Sequence, residues 1–227
     1  MTIEPDTITT ITVDSYGTLV DVEATTQRLA KYTDNPTAIA NVWRTQSLEY
    51  TFIASAIDAY KPFYEINRDA LEYALNVYDV STSKDERDEI LASYHELDVF
   101  DDVRKGLSRL AEAGYDCYVL SNGNPAMLSS MVDQADIGDI IEDTISADEI
   151  KTFKPNVGIY RYAAARTGTP IEEIAHVTAG WADVLGGMHA GMQGVWVNRD
   201  DDPWHSFGGD PDMEVSSFLE LSEAMRE

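Results

Sequence analysis

The sequence predicts an α/β protein in which a parallel sheet carries a helical insertion just after its first strand. Three observations lead there. A β-branched run, Thr10-Ile11-Thr12-Val13, stops at Asp14 and a turn containing Gly17, as a buried strand does when it ends in unusual backbone angles. From about residue 20 to 97, apolar residues recur only at helical spacing. Beyond residue 99, short apolar runs alternate with amphipathic helices, which is the rhythm of right-handed strand–helix–strand crossovers.

Taken in order, residues 22–32 read as a helix broken at Asn35-Pro36. From Thr37 the spacing stays helical through Trp43, Leu48 and Phe52 and on to Tyr60, until Pro62 interrupts. Residues 67–78 and 84–94 are two further amphipathic helices. A helix over 103–113 closes at Gly114. The strand 116–120 then runs into Ser121-Asn122-Gly123-Asn124-Pro125, where proline opens the next helix. A short strand at 143–146 and the loop through Phe153-Lys154-Pro155 precede a helix over 157–166. A strand over 174–178, the turn Ala179-Gly180-Trp181-Ala182, a helix over 183–190 and a strand over 194–198 complete the set. Gly208-Gly209-Asp210-Pro211 reads as a surface turn before a last short helix. The division expected is an α/β core domain from 1–19 and 98–227, and a helical cap subdomain from 20–97.

A chain of 227 residues suits one substantial core with a smaller accessory unit. It has no apolar run of membrane-spanning length and no signal-peptide pattern at its start, so a cytoplasmic location with no membrane partner is expected. Cys117, the single cysteine, excludes an intrachain disulfide or a thiolate metal cluster. The four histidines lack metal-ligand spacing. Forty-one acids against 16 bases give a formal charge of -25, a field that repels nucleic acid and anionic membranes. The acids are dispersed and only six bases are lysine. That composition resembles proteins of salt-accumulating halophilic archaea, in which salt screens self-repulsion.

Four strand ends carry Asp14, then Ser121-Asn122, then Lys154, then Thr178 and Asp183. Ligands of open α/β sheets bind outside the carboxyl ends of the strands, so these groups converge on one edge. Each has a plainer reading: Asp14 as a turn former, Lys154 as a loop lysine, Arg44 as the helix-surface partner of Glu49.

These residues resemble the haloacid dehalogenase superfamily and, within it, the L-2-haloacid dehalogenases. The narrower likeness rests on Asp14-Ser15-Tyr16-Gly17-Thr18-Leu19, Trp43 to Thr51, Leu120-Ser121-Asn122-Gly123, Phe153-Lys154-Pro155 with Tyr160, and Val195-Trp196-Val197-Asn198-Arg199. The resemblance implies a Rossmann-like parallel sheet core with a helical cap, and hydrolysis of short 2-haloalkanoic acids to 2-hydroxy acids. Asp14 is then the nucleophile that forms an aspartyl ester, because a carboxylate stripped of water attacks an electrophilic carbon well. Lys154 is the cation that keeps it charged. Arg44 and Asn122 receive the departing halide or the substrate carboxylate. Ser121, Thr18 and nearby backbone N–H groups bind that carboxylate. Tyr160 and Asp183 orient Lys154 or the hydrolytic water, Thr178 keeps a hydroxyl in the fourth motif, and Tyr16, Leu48 and Phe63 wall an apolar pocket. No metal or other cofactor is implied, and the resemblance implies a homodimer.

Two other readings stay open: a phosphatase of the same superfamily acting on a small phosphorylated metabolite, and a weakened protein that keeps only the fold. Phosphatases need an acid where Tyr16 stands and a metal-binding acid where Thr178 stands, which disfavours the first. Gly180 and Ala182 depart from the Asn and Trp usual in the dehalogenases, and Thr45 from the usual Gln.

Overall fold

The computed structural model describes residues 3–226. Strand β1 (Thr10–Val13) passes through the Gly17 turn (φ 84°) into the short strand β2 (Val20–Asp21). Four helices follow: α1 (Glu23–Leu29), α2 (Pro36–Ala56), α3 (Phe63–Val77) and α4 (Lys84–Ala92). The chain returns through β3 (Asp98–Val99), α5 (Val103–Glu112), β4 (Asp116–Ser121), α6 (Pro125–Ala135) and β5 (Asp143–Ser146). It ends with α7 (Val157–Thr167), β6 (Ile174–Thr178), α8 (Trp181–Ala190), β7 (Gln193–Val197), β8 (Met213–Val215) and α9 (Phe218–Ala224).

The main sheet has the order β5-β4-β1-β6-β7-β8, and every neighbouring pair is parallel. β1 lies inside it with all four residues buried, covered on both faces as a parallel strand requires. Its two inward hydroxyls are satisfied: Thr10 bonds Thr169 at 2.7 Å, and Thr12 bonds His176 Nδ1 at 2.9 Å. Val13 pairs with Val119 on one side and Val177 on the other, so Asp14 leaves the sheet between the ends of β4 and β6.

The insertion is helical, as expected, and is held by side-chain contacts between its helices. Trp43 on α2 donates its indole N–H to the Asn67 carbonyl on α3 at 2.8 Å, and Ser47 donates to Asn67 Oδ1 at 2.8 Å. α4 opens with a reciprocal capping box between Ser83 and Glu86. Arg28 on α1 pairs with Glu89 and Glu96 beyond α1, across the bundle.

Five local expectations are corrected. Pro36 is the first residue of α2 rather than only a break, since proline suits the opening turn. α3 begins at Phe63, directly after Pro62, and α8 begins at Trp181 rather than Asp183. The interval 20–97 is not purely helical at its root, where β2 and β3 pair antiparallel with Val20 opposite Val99. A sixth parallel strand, β8, follows the glycine-rich turn. Three residues carry too little alternation to announce a strand; β8 exists because β7 offers it an open edge and α9 covers it. α9 reaches that place because Gly106 on α5 has no side chain: a Cβ there would lie 2.4 Å from Phe218 Cβ.

Candidate active site

Asp14 is fixed first by its backbone. Its N–H donates to the Val177 carbonyl at 2.9 Å, which ties the turn to the end of β6. Thr18, one turn later, donates its hydroxyl to Asp14 Oδ2 at 2.9 Å and accepts the Ala179 N–H at 2.9 Å. Expected to meet a substrate carboxylate, the Thr18 hydroxyl is instead used in orienting Asp14. Arg199, after β7, secures the same loop by donating to the Thr18 carbonyl at 3.1 Å while pairing with Asp102 at 2.9 Å.

Lys154 is almost wholly buried, with its side chain 5% exposed. Its ammonium has three acceptors: Asp14 Oδ1 at 2.6 Å, Asp183 Oδ2 at 2.7 Å and the Leu120 carbonyl at 2.9 Å. All three donors of a lysine are therefore matched. Burial alone would lower its pKa, yet Asp14 and Asp183 reverse that and raise it above the ordinary lysine value. Burial likewise acts against an ionised Asp183, but Lys154 and then His176 hold that carboxyl far below its usual range. Tyr160 donates to Asp183 Oδ1 at 2.6 Å, and its own pKa is pushed well up, first by burial and then by the Asp183 charge. The Lys154–Pro155 peptide is cis, and the Lys154 N–H donates to Asn122 Oδ1 at 2.9 Å. That bond fixes the Asn122 amide so that its nitrogen keeps both donors.

Ser121 lies at the end of β4, where its oxygen bonds Ser15 Oγ at 2.6 Å and accepts the Gly123 N–H at 3.0 Å. The Thr178 hydroxyl accepts the Gly180 N–H at 3.0 Å. Among the described residues, the backbone N–H groups of Ser15, Tyr16 and Asn122 find no acceptor in the chain. Three unspent amides beside a carboxylate and an ammonium make a place for an anion.

These groups open onto a cavity of about 530 Å³ between the sheet edge and α2. Asp14, Lys154, Asp183, Ser121, Asn122 and Thr178 form its polar end, and Tyr16, Leu48, Phe52, Phe63 and Trp181 its apolar walls. Tyr16 packs edge-on against Tyr94 with centroids 5.5 Å apart. Its buried hydroxyl has no partner, and burial raises its pKa, with Tyr94 and Asp14 adding to the shift. Arg44 is exposed and does not line the wall. It stands on α2 one helical turn before Leu48, which does line it. Its charge acts on the Tyr94 hydroxyl, and among the described residues it makes no ion pair.

The family description haloacid dehalogenase-like hydrolase matches residues 8–191. (S)-2-haloacid dehalogenase 4A of Burkholderia cepacia is 31% identical over 199 residues, covering 87% of this chain and 86% of that one. The chain belongs to the haloacid dehalogenase-like hydrolases, in the (S)-2-haloacid dehalogenase family. Solved structures agree across the whole dehalogenase fold. A dehalogenase with an intermediate complex superposes with a TM-score of 0.92 at 28% identity, covering 97% of this chain and 98% of that one. The L-2-haloacid dehalogenase of Xanthobacter autotrophicus with chloropropionic acid covalently bound gives 0.89 at 25% identity, covering 96% and 98%.

Two residues of this dehalogenase-family site were not identified from sequence. His176, read as structural, brings Nε2 to 3.0 Å from Asp183 Oδ1, off the line of a well-aligned hydrogen bond. Its signal was positional: on β6 it precedes Thr178 by two residues and shares its face. Trp181, read as part of a turn, is the first residue of α8 and a cavity wall. Nothing in the local sequence showed which way that ring turns. His95, by contrast, bonds Ser130 at 2.9 Å, outside the site. Among the described residues, no three His, Cys, Asp or Glu side chains gather as a metal centre.

Proposed function

We propose that the protein hydrolyses short 2-haloalkanoic acids to 2-hydroxy acids through an ester on Asp14, with no metal. The observation that carries this reading is the Lys154 ammonium held between Asp14 and Asp183. It presents a largely buried carboxylate with a fixed cation at the polar end of an otherwise mainly apolar cavity. Asp14 attacks Cα from the side opposite the halogen; the C–O bond forms as the carbon–halogen bond breaks, and halide leaves with the bonding pair. Water then attacks the ester carbonyl, releasing the hydroxy acid with inversion at carbon and a proton, and restoring Asp14.

The remaining residues take supporting roles. The N–H groups of Ser15, Tyr16 and Asn122 suit the substrate carboxylate, with Ser121 beneath them. The Asn122 amide nitrogen and Arg44, on α2 one turn before the wall residue Leu48, receive the halide. Asp183 and Tyr160 position Lys154, and Thr18 positions Asp14. Tyr16, Leu48 and Phe63 exclude water, while Thr178 anchors the turn at Gly180. A metal bridging Asp14 and Asp183 would have to displace an ammonium that already satisfies both, with Thr178 as a neutral ligand beside it, so the donor set fits magnesium poorly.

The same reading treats 1–19 with 98–227 as a core domain and 20–97 as a cap that brings Arg44 to the site. It extends to a cytoplasmic homodimer joined through the helical insertion and adapted to a halophilic, archaeal type of environment. Exposed Ile53 on α2, Ile57 just past its end, and Tyr73 and Val77 on α3 support the dimer, and the charge of -25 supports the salt adaptation. Among the described residues, no helix is long and apolar enough to cross a membrane.

The test is halide release from racemic 2-chloropropionate and 2-bromopropionate in 2 M KCl with chelator, beside p-nitrophenyl phosphate and an Asp14→Asn control. Chelator-resistant halide release that the variant loses is expected, with heavy oxygen from labelled water entering Asp14. Magnesium-dependent phosphate release without halide would replace this reading with a phosphatase.

A further inference from the structure

The cavity is far larger than a two- or three-carbon acid needs. Its volume of about 530 Å³ falls in the range of sites for drug-sized ligands. A small haloacid anchored at Asp14 leaves most of that space to water, which opposes a reaction that depends on stripping water from a carboxylate.

Away from Asp14 the cavity lining is mainly apolar, with Thr45 and Glu49 of α2 among it, and one wall is braced from outside. Trp181 stacks on His205 with centroids 4.2 Å apart and planes at 21°, and meets Phe207 edge-on at 6.4 Å. Both come from the loop between β7 and β8, and Phe207 is 74% exposed. That loop is itself anchored: the Trp204 indole donates to the Gly209 carbonyl at 2.8 Å and packs on Trp196. Opposite Trp181, Leu48 and Phe52 on α2 line the cavity while 43% and 41% exposed. Near the nucleophile the wall is minimal: a Cβ on Gly180 would meet nothing closer than 3.6 Å, and residue 182 is alanine.

We propose that the cavity is shaped for 2-halo acids whose third carbon carries an aromatic ring or an equally bulky apolar group. Trp181, braced by His205 and Phe207, is the wall that selects them. This inference rests on the dehalogenase reading and names its substrate class. The carboxylate and halogen sit at the polar end, and the ring fills the space between Trp181 and Phe52, expelling the water that a smaller acid leaves behind.

The test compares kcat/KM for racemic 2-chloro-3-phenylpropionate and 2-chloropropionate in the wild-type protein, Ala182→Trp, His205→Ala and Phe207→Ala. The phenyl substrate should be preferred at least tenfold. Ala182→Trp fills the space and should cut that preference at least tenfold. The two loop variants, which leave the cavity-lining residues in place, should raise KM for the phenyl substrate at least threefold, with little change in its kcat. They carry the test if Ala182→Trp does not fold. Equal or better turnover of 2-chloropropionate, or a preference unmoved in the variants, would overturn the inference while leaving the dehalogenase reading intact. Halide from neither substrate would bring down both.

Discussion

Asp14 and Asp183 face each other across a single ammonium, with Lys154 Nζ 2.6 Å from an oxygen of one and 2.7 Å from an oxygen of the other. One buried cation thus holds two largely buried carboxylates, and each member of the trio is tolerable only because the others are present.

Lys154→Met keeps an unbranched side chain, one atom shorter, and removes its charge. Two carboxylates then remain beside each other with no counter-ion, and the Leu120 carbonyl loses its donor. A loss of about 3–5 kcal/mol in stability is expected from chemical denaturation, together with loss of halide release. A variant as stable as the wild type would show that the trio is better solvated than its burial implies.

The pH dependence follows from the two shifts. Asp183 has a depressed folded pKa, so its contribution is fully present above the ordinary carboxylate value of about 3.9 and drains away as pH falls below it. Lys154 has a raised folded pKa, so its contribution is complete below about 10.4 and is lost as pH rises through the folded value. The stability gap between wild type and Asp183→Asn should therefore be level from about pH 5 to 9 and shrink below about pH 4. Urea midpoints across that range check this.

Gly186 on α8 is what lets Tyr160 reach Asp183. A Cβ there would stand 2.4 Å from the Tyr160 hydroxyl and 2.7 Å from Pro155 Cβ. Gly186→Ala should force α7 and α8 apart, costing about 1–3 kcal/mol, and lower kcat at least tenfold by displacing the partner of Lys154. Thermal melts and steady-state kinetics measure the two effects.

Cys117 is buried on β4, and burial pushes its thiol up to about 12, with Asp116 and Glu142 adding to the shift. A disulfide reagent at pH 8 should find no reactive thiol in the folded protein and one per chain after unfolding in guanidinium. Rapid modification of the folded protein would mean that β4 opens readily.

Salt should act on substrate capture as well as on stability. A protein of charge -25 repels a carboxylate substrate, and at 1 M salt the screening length falls to about 3 Å. Both kcat/KM and the melting temperature should rise between 0.1 M and 2 M KCl. A flat response in both would remove the salt-adapted reading.

Much of the architecture was legible because it rests on local rules. A β-branched run before an acid, glycine after helices and a long interval without alternation determine strand, helix and insertion residue by residue. Asp14, Lys154 and Asp183 were legible for a related reason: parallel strands all deliver their ends to one edge. Other features depended on what lies across the fold. β8 became a strand because β7 lacked a neighbour, and Thr18 turned to Asp14 because the Ala179 N–H and the Asp14 carboxylate both lie within reach of its hydroxyl. His176 entered the site because β6 places it under Asp183, and Trp181 became a wall because a loop more than twenty residues away stacks on it. The sequence by itself determined which chemical groups stand at the strand ends. The tertiary structure alone decided which of them share hydrogen bonds and how much room they leave for substrate, because pairing and volume depend on neighbours distant in the chain.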